Sequence, residues 1–293
     1  MGGALQWRRL KRGCGAAIGK CATSVTTVSI SWLARGSCAR DIRAVLSDWR
    51  VRVTLFSQDV QDDRLAARVR AVLKDVGRVH VPGVLVEAAA KALYRDMLEI
   101  DWRLVFRDQS DVYEIKPEDF DALPETNRAD VIRMVHGRAS TGFQYFHDVY
   151  RISDKYESGE RRNGALAEAF AALNSPPVLD TLRKLTGDER IAYVDARATR
   201  FRDAHFLTTH DDEEPGKHRL YAYVLNLTPQ WSVDWGGLLM FLAGDGHVSE
   251  AFTPCWNALN ILKVPQPHAV SMVAPFARAP RYSITGWMRS RAP

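Results

Sequence analysis

The chain has 293 residues, of which 46% are hydrophobic and 26% are charged, values that are ordinary for a soluble globular protein. No apolar run approaches the roughly 18 residues that a membrane helix needs, so we expect no membrane partner. Residues 1–54 hold ten of the 40 Lys and Arg and two of the 35 Asp and Glu, a balance of +8, which leaves −3 for residues 55–293. A mildly acidic body of this kind is not expected to bind nucleic acid.

Residues 1–54 form a basic extension that also holds three of the four cysteines. We expect this segment to be disordered, and two interpretations of it stay open. It is either an organelle-type targeting segment or the product of a start codon that is assigned too early. Cys255 is the only cysteine in the remainder, and one cysteine cannot form an internal disulfide. The body is therefore predicted to be reduced and cytoplasmic.

Helical spacing dominates the first half of the body. Residues 61–77 place Leu65, Val69 and Leu73 on one stripe, and Gly77 follows as a plausible end of the helix. Further helices are predicted over 86–100, 125–136, 163–174 and 178–186. Shorter segments with strand character are predicted at 78–85, 102–115 and 142–152.

From residue 190 the hydrophobic period changes to two. This pattern predicts strands over 191–202, 206–209, 220–227, 238–242, 258–264, 270–273 and 282–287. Many short strands in succession, separated by turn clusters, indicate a jelly roll. Helices followed by such a run predict an α+β fold in which the helices buttress one sheet. We expect a single domain over 55–293, with a catalytic core at 190–293.

The chemistry of the chain is concentrated around His210 and Asp212. On a strand, residues two apart point to the same face, so an imidazole and a carboxylate would converge there. His268 follows 58 residues after His210. Two histidines and one carboxylate on one face of a metal leave positions open, as in the non-haem Fe(II) oxygenases. An exposed acidic turn would look similar, because Asp211 and Glu213 crowd the same place.

Residues 190–290 resemble the catalytic core of the prolyl-4-hydroxylase-like Fe(II)/2-oxoglutarate dioxygenases. Five elements occur in the family's order: His210-x-Asp212, an Arg-initiated strand at 219–228, Gly236-Gly237-x-Leu239-x-Phe241, His268, and the strand from Arg281 to Trp287. The resemblance implies a double-stranded β-helix, another name for the jelly roll, with Fe(II) held by His210, Asp212 and His268. It implies 2-oxoglutarate as co-substrate and ascorbate as a further cofactor.

The implied reaction hydroxylates a C–H bond and releases succinate and CO2. The substrate class that the resemblance favours is a prolyl residue in a protein or a small amino-acid-like molecule, so the partner is either a protein or a small-molecule substrate. Fold and substrate are separable, and this last step rests on analogy with the family.

The resemblance also implies residues that bind the co-substrate. Arg281 would bind the distal carboxylate of 2-oxoglutarate, because a guanidinium can donate two parallel hydrogen bonds to it. Ser283, two residues on, would face the same way and donate its hydroxyl. Arg278 is a rival to Arg281, but it lies in an Ala-Arg-Ala-Pro segment that is typical of a loop. The family often carries a tyrosine seven residues after the arginine of the earlier strand, and Asn226 occupies that position here as the predicted further contact, with Tyr193, Tyr221 and Tyr223 as alternatives.

Three points stay open. A cupin-like metal enzyme that needs no 2-oxoglutarate would use the same three metal ligands, although Arg281-x-Ser283 argues against it. A non-catalytic jelly-roll module could dock on RNA or a ribosome through the basic N-terminus. Gly236-Gly237 is interpreted as a tight turn, and the flanking Trp231 and Trp235 would either line a substrate entrance or simply pack.

Overall fold

The helices and strands that follow belong to residues 55–109 and 111–292 of a computed structural model. The expectations for residues 1–54 lie outside the described residues. Within the described ranges, no helix is long and apolar enough to cross a membrane. The described residues include nearly all of the catalytic core predicted at 190–293 and the helices before it.

Seven α-helices occur in the described part of the chain. They are α1 (Asp63–Val76), α2 (Glu87–Glu99), α3 (Pro117–Asp121), α4 (Glu125–Ala139), α5 (Ile152–Glu157), α6 (Ala165–Leu173) and α7 (Pro176–Thr186). The Asp62 side chain caps α1 by accepting a hydrogen bond from the Arg64 backbone N–H at 2.6 Å. Gly77 ends the helix in the left-handed conformation, as its position predicted.

Thirteen strands, all paired antiparallel, complete the described fold. In chain order they are β1 (Arg78–Pro82), β2 (Arg103–Asp108), β3 (Asp111–Ile115), β4 (Tyr145–Tyr150), β5 (Tyr193–Val194), β6 (Arg197–Phe201), β7 (Phe206–His210), β8 (Arg219–Leu227), β9 (Leu239–Leu242), β10 (Val248–Phe252), β11 (Trp256–Lys263), β12 (His268–Val270) and β13 (Arg281–Arg289). A large sheet has the order β1-β11-β8-β13-β6-β4-β2-β3, and a small sheet has the order β7-β12-β9-β10.

Strand β4 connects the two sheets. Its first residues, Tyr145 and Phe146, pair with β7 of the small sheet, whereas Asp148–Tyr150 pair with β6 of the large sheet. The sheet thereby folds over on itself and encloses a space between two layers. The predicted α+β jelly roll with buttressing helices is confirmed.

Two strand predictions differ from the structure. The single strand predicted over 191–202 is two strands, because the carboxylate of Asp195 accepts a hydrogen bond from the Trp287 backbone N–H at 2.8 Å and interrupts the ladder. Strand β10 was not predicted, and nearly all of its residues are exposed, so it carries no alternating apolar signal.

The two faces of the large sheet have different environments. One face packs Leu225, Ile261 and Ile284 against apolar residues of α1, α2, α6 and α7, such as Leu93 and Leu182. The other face turns toward the small sheet. Its apolar contacts form a smaller cluster that leaves a cavity between the two layers. The helices thus fix the large sheet from outside, and the site lies on its inner face.

Candidate metal centre and co-substrate cavity

A cavity of about 550 Å³ lies between the two sheets. Its volume falls in the usual range of small-molecule sites. The three predicted metal ligands and Arg281 all line it, with apolar side chains from both sheets between them, including Leu207, Leu239, Leu262 and Val270. The sequence elements that are separate along the chain therefore meet in one cavity.

His210, Asp212 and His268 come together at the small sheet. His210 ends β7 and His268 begins β12, and the two lie directly opposite each other across these paired strands. One ligand atom from each of the three residues lies within 4.8 Å of the others. The Asp212 carboxylate oxygens lie 3.5 Å from His210 Nε2 and 3.4 Å from His268 Nε2. Donors at right angles around one divalent ion, at metal–ligand distances of roughly 2.1 Å, have separations of this order.

Both histidines are held with Nε2 toward this point. His210 Nδ1 lies 3.0 Å from the Thr208 carbonyl oxygen, and His268 Nδ1 lies 2.8 Å from the Gln266 carbonyl oxygen. A carbonyl only accepts, so each Nδ1 must carry the proton and donate it. The lone pair of each ring is then on Nε2, where a metal would be bound. Such hydrogen bonds fix both the tautomer and the ring orientation of metal-binding histidines.

Asp212 reaches the site by a route that strand geometry did not predict. Strand β7 ends at His210, and Asp212 lies beyond it with φ +66° in the left-handed region. Aspartate tolerates this conformation better than most residues. Arg219 Nη1 donates to the Asp212 backbone oxygen at 2.8 Å and holds the turn in place. The carboxylate is thus turned back toward the two histidines.

The surroundings of Asp212 favour its charged form. Burial alone raises the pKa of a carboxyl group, but in the metal-free protein a protonated His210 or His268 beside the carboxylate, together with the positive charge of Arg219, outweighs it. The pKa of Asp212 therefore lies below its ordinary value. The pKa of His268 is also lowered, chiefly by burial. A negative carboxylate beside two neutral imidazoles is the donor set that a divalent metal requires.

Arg281 lies at the far end of the cavity. It is 2% exposed, its Nη1 donates to the Gly237 carbonyl oxygen at 2.7 Å, and its guanidinium lies 5.2 Å from the centre of the Phe201 ring. No carboxylate in residues 55–109 or 111–292 forms an ion pair with it, and its Nε has no hydrogen-bond partner there. Burial lowers the pKa of Arg281 to about 10, so the side chain is still positive at neutral pH.

Gly236-Gly237 explains how Arg281 is positioned. Both glycines have φ above +60°, and a Cβ on Gly236 would lie 2.1 Å from the Met272 carbonyl oxygen. The backbone can follow this path only without side chains. It places the Gly237 carbonyl against Arg281. The predicted tight turn therefore also orients an arginine. Trp231 donates to the Gly236 carbonyl oxygen at 2.9 Å and does not line the cavity, and neither does Trp235.

Ser283 and Asn226 face each other across strands β13 and β8. The Ser283 hydroxyl lies 3.0 Å from the hydroxyl of Thr199, and it is Thr199 that lines the cavity. Asn226 is 1% exposed, and neither of its amide atoms has a hydrogen-bond partner in the described part of the chain. Both residues lie near Arg281 in the strand ladder. Their role in binding a co-substrate stays a prediction.

The rival residues lie elsewhere. Arg278 is exposed in the loop before β13. His247 is exposed and lies 3.3 Å from the Asp245 carboxylate, and His218 lies beside Arg291. None of these three residues lines the cavity. The choice of His268 and Arg281 over them therefore agrees with the geometry.

Three residues that line the cavity, His147, Arg197 and Trp287, were not predicted there or were not assigned a role. His147, on β4, stacks on Phe201 at 4.7 Å, and burial lowers its pKa to about 3, so it is neutral. The Trp287 ring lies between the guanidinium groups of Arg219, at 3.6 Å, and Arg197, at 4.5 Å. The period-2 pattern Arg197, Thr199 and Phe201 on one face of β6 was the available sequence signal for Arg197.

Comparison with known proteins agrees with this geometry. Residues 196–289 match the family model described as the 2OG-Fe(II) oxygenase superfamily. Mouse prolyl 3-hydroxylase OGFOD1 is 28% identical over 152 residues, which cover 48% of this chain and 27% of the mouse protein. The Xenopus laevis prolyl 3-hydroxylase OGFOD1 is 32% identical over 113 residues, covering 36% of this chain and 22% of that protein. The chain thus spans about a quarter of the length of these curated relatives.

Solved structures share the fold. A Pseudomonas putida prolyl-4-hydroxylase superposes with a TM-score of 0.52 and 18% identity, covering 78% of this chain and all of the other. A Trichoplax adhaerens prolyl hydroxylase, solved with a hypoxia inducible factor peptide, gives a TM-score of 0.51 and 16% identity, covering 80% and 92%. At such identities the likeness concerns the fold alone. Together with this fold, the match over residues 196–289 and the His-Asp-His arrangement support a 2OG-Fe(II) oxygenase that is similar to the prolyl hydroxylases.

Proposed function

We propose that the protein is an Fe(II)- and 2-oxoglutarate-dependent dioxygenase that hydroxylates a C–H bond of a prolyl or amino-acid-like substrate and releases succinate and CO2. One observation carries the proposal. The ligand atoms of His210, Asp212 and His268 converge at one point of a cavity whose other end holds Arg281, a buried cation with no carboxylate partner in the described ranges.

The metal end of the cavity fits Fe(II). Two imidazoles and one carboxylate would occupy one face of the ion and leave its other face toward the cavity. When bound there, Fe(II) and 2-oxoglutarate would supply oxygen activation coupled to decarboxylation of the co-substrate. The chain's own contribution is to fix the three donor atoms through the Thr208 and Gln266 carbonyls and through Arg219.

The other end fits a dicarboxylate. Arg281 can still donate from its guanidinium, since within residues 55–109 and 111–292 only the Gly237 carbonyl accepts from it. Apolar side chains such as Leu239, Leu262 and Val270 lie between Arg281 and the metal residues and suit the methylene groups of 2-oxoglutarate. Thr199 and the neutral imidazole of His147 line the same stretch and can hydrogen-bond to oxygen atoms. These residues would hold the co-substrate in line with the metal and exclude water.

The substrate class rests on two supports. The curated relatives are prolyl 3-hydroxylases, and the two structures of similar fold are prolyl hydroxylases, one of them bound to a peptide. The cavity also carries the aromatic side chains Phe143, Tyr145 and Trp287 near the metal residues. Aromatic rings suit the compact apolar ring of proline. We infer that a prolyl or proline-like group is the substrate.

The reduced, cytoplasmic location predicted from Cys255 belongs to this proposal as well. Cys255 is a free thiol, and it is the only cysteine in the described part of the chain. No disulfide therefore supports the fold of residues 55–109 and 111–292. Ferrous iron also requires reducing surroundings to stay ferrous, which agrees with such a location.

An anaerobic titration tests the proposal. Fe(II) and then 2-oxoglutarate are added to the purified protein, and the weak visible charge-transfer band of the chelate is followed, with Arg281→Met and Arg278→Met in parallel. We expect a saturable band in the wild type and in Arg278→Met. Arg281→Met should need about a hundredfold more 2-oxoglutarate, because its charge-assisted hydrogen bonds are lost. The exposed Arg278 is the matched control for removal of one positive charge.

The same titration separates the alternatives. Iron binding without a 2-oxoglutarate band would favour the cupin-like metal enzyme and contradict the proposal. Absence of iron binding would favour the non-catalytic module, whose proposed docking segment, residues 1–54, lies outside the described residues. Mass spectrometry for a 16 Da increase on prolyl peptides and on free proline then tests the substrate class.

A further inference from the structure

Arg197 is a cavity cation without a partner. It lies on β6 with its side chain in the cavity, largely buried, and its guanidinium lies 4.5 Å from the centre of the Trp287 ring. Its side chain forms no hydrogen bond or ion pair with any residue in 55–109 or 111–292. The charged groups that act on it without contact include the carboxylates of Asp195 and Asp212 and the guanidinium groups of Arg151 and Arg219. The stacking on Trp287 leaves the N–H groups of the guanidinium free to donate.

Other arginines buried near this cavity do have carboxylate partners. Arg200 and Arg202 both donate to Asp148, at 2.8 and 3.0 Å, Arg289 pairs with Asp195, and Arg219 lies 2.7 Å from Glu214. Removing a cation from water without a counter-charge is costly. The fold therefore satisfies its buried arginines where no ligand is expected. Arg281 and Arg197 are the exceptions in the described part of the cavity, and the first is explained by the co-substrate.

Arg197 is too far from Arg281 to share that ligand's distal carboxylate. Phe201 lies opposite Arg281 in the strand ladder, and Arg197 lies opposite Thr285, four residues further along. This places the two positions about 13 Å apart along the strands. A carboxylate of 2-oxoglutarate that Arg281 would hold is therefore not expected to be bound by Arg197 as well.

Arg197 is instead linked to the metal ligands through two neighbouring side chains. Its stacking partner Trp287 also contacts Arg219, and Arg219 holds the backbone of Asp212. A group bound by Arg197 would therefore be within one side chain of the metal ligands. Thr285 and Tyr145 line the same part of the cavity and can add hydrogen bonds.

We propose that Arg197 binds a carboxylate of the substrate, on the same small molecule or peptide segment that carries the hydroxylated carbon. This inference rests on the proposed function and narrows its substrate class to acidic substrates. The carboxylate is either the α-carboxylate of a proline-like amino acid or an acidic side chain next to a prolyl residue. A planar guanidinium, stacked on one face by a tryptophan, is well suited to bind either of them by two hydrogen bonds.

Paired probes test the inference on the full chain loaded anaerobically with Fe(II) and 2-oxoglutarate. Calorimetry compares L-proline with L-prolinamide, and N-acetyl-Asp-Pro-amide with N-acetyl-Asn-Pro-amide, so that each pair differs in one carboxylate. The proteins are the wild type, Arg197→Met, Arg197→Lys and Arg133→Met. Arg133 is an exposed residue of α4 paired with Asp130, and it controls for loss of one positive charge.

We expect the wild type to prefer the acid of one pair, and that pair identifies the source of the carboxylate. Arg197→Met should lose roughly tenfold or more in affinity for the acid and little for the amide, because charged hydrogen bonds are removed. Arg197→Lys should retain part of the preference, and Arg133→Met should behave as the wild type. The affinity for 2-oxoglutarate should be unchanged in all four proteins.

Two results would overturn the inference. Equal affinity of wild type and Arg197→Met for every acid probe, including no measurable affinity in either, would show that Arg197 binds no substrate carboxylate. A selective loss of 2-oxoglutarate affinity in Arg197→Met would assign the residue to the co-substrate instead. If the wild type fails to form the 2-oxoglutarate band, the proposed function is contradicted. If that wild type still prefers the acid probes and Arg197→Met does not, the carboxylate site at Arg197 stands without the proposed function.

Discussion

The two faces of the large sheet are both buried, but they are built from different residues. On the helix side, β13 presents Tyr282, Ile284 and Met288 to an apolar core. On the cavity side the same strand presents Arg281, Thr285 and Trp287. A strand that alternates between apolar and polar residues usually has one face in water. Here the polar face is inside the protein, and some of its polar atoms, such as Arg281 Nε and Trp287 Nε1, have no hydrogen-bond partner among the described residues.

This difference separates stability from function within single strands. Apolar residues facing the helices hold the sheet in shape, and their burial is the main favourable term in folding. Polar residues facing the cavity cost free energy unless something binds them. Substitutions on the helix side should therefore change stability and leave ligand affinity alone. Substitutions on the cavity side should do the reverse.

The largest effect is expected for Asp212→Ala. The variant removes the carboxylate that lies 3.5 and 3.4 Å from the two histidine nitrogens, so we expect iron binding to be lost altogether. Iron is quantified after anaerobic loading and desalting. Asp211→Ala is the control, since this adjacent carboxylate does not belong to the cluster of three donors. Retention of stoichiometric iron by Asp212→Ala would contradict the metal assignment.

The corresponding change on the helix side is Leu225→Ala. Leu225 is buried against the helices, and its loss should cost about 2–5 kcal/mol of unfolding free energy, from lost burial and the cavity left behind. Urea unfolding measures this cost. The affinity of the folded fraction for 2-oxoglutarate should stay within about twofold of wild type. A loss of affinity as large as that expected for Arg281→Met would show that the two faces are not independent.

Sequence motifs pointed to the residues at the two ends of the cavity, but to few of the residues that line the cavity between them. His210, Asp212, His268 and Arg281 belong to an ordered motif, and all four line the cavity, where their roles stay predictions. The route of Asp212 was wrong, because a strand pair was expected where a left-handed turn occurs. A turn of that kind depends on Arg219, seven residues later, and no local pattern shows the contact.

Residues without a motif could not be assigned from sequence. His147 lies in an aromatic strand that was predicted, but its neighbour in the cavity, Phe201, is 54 positions away. Arg197 is one arginine among many in the sequence, and only the fold, which brings no carboxylate of the described residues into contact with it, sets it apart. Arg281 is oriented by the backbone carbonyl of Gly237, and such a backbone contact leaves no signal in the sequence. These features follow from tertiary pairing, which the period of a single strand does not encode.

A buried histidine in the turn between β6 and β7 gives a pH-dependent test. His205 is 2% exposed and packs edge-on against Phe146, 5.0 Å away, and burial lowers its pKa to about 3. Below pH 6.5 the unfolded chain takes up a proton at this residue and the folded chain does not, so stability falls with pH until about pH 3. Each pH unit in that window should cost about 1.4 kcal/mol.

The comparison uses His205→Phe, which keeps an aromatic ring against Phe146. Unfolding free energies are measured between pH 7 and 5, above the range in which ordinary carboxylates titrate. The wild type should lose about 2 kcal/mol more than the variant over this range. Parallel pH profiles for the two proteins would show that His205 is protonated in the folded state.

The smallest effect is expected at Asn226, where one substitution should change both stability and ligand affinity. Asn226 lies on the cavity side of β8 between Val224 and Thr228, yet it is buried with both amide atoms unpaired in the described structure. Asn226→Leu replaces these atoms with an apolar group of similar size and should raise the unfolding free energy without ligands by about 1 kcal/mol. If the amide serves the co-substrate, the same variant should bind 2-oxoglutarate about tenfold more weakly.

A gain in stability together with a loss of affinity is the combination that a structural role alone does not produce. A gain in stability with unchanged affinity would remove Asn226 from the co-substrate site and leave Arg281, Thr199 and His147 as the polar groups available to it.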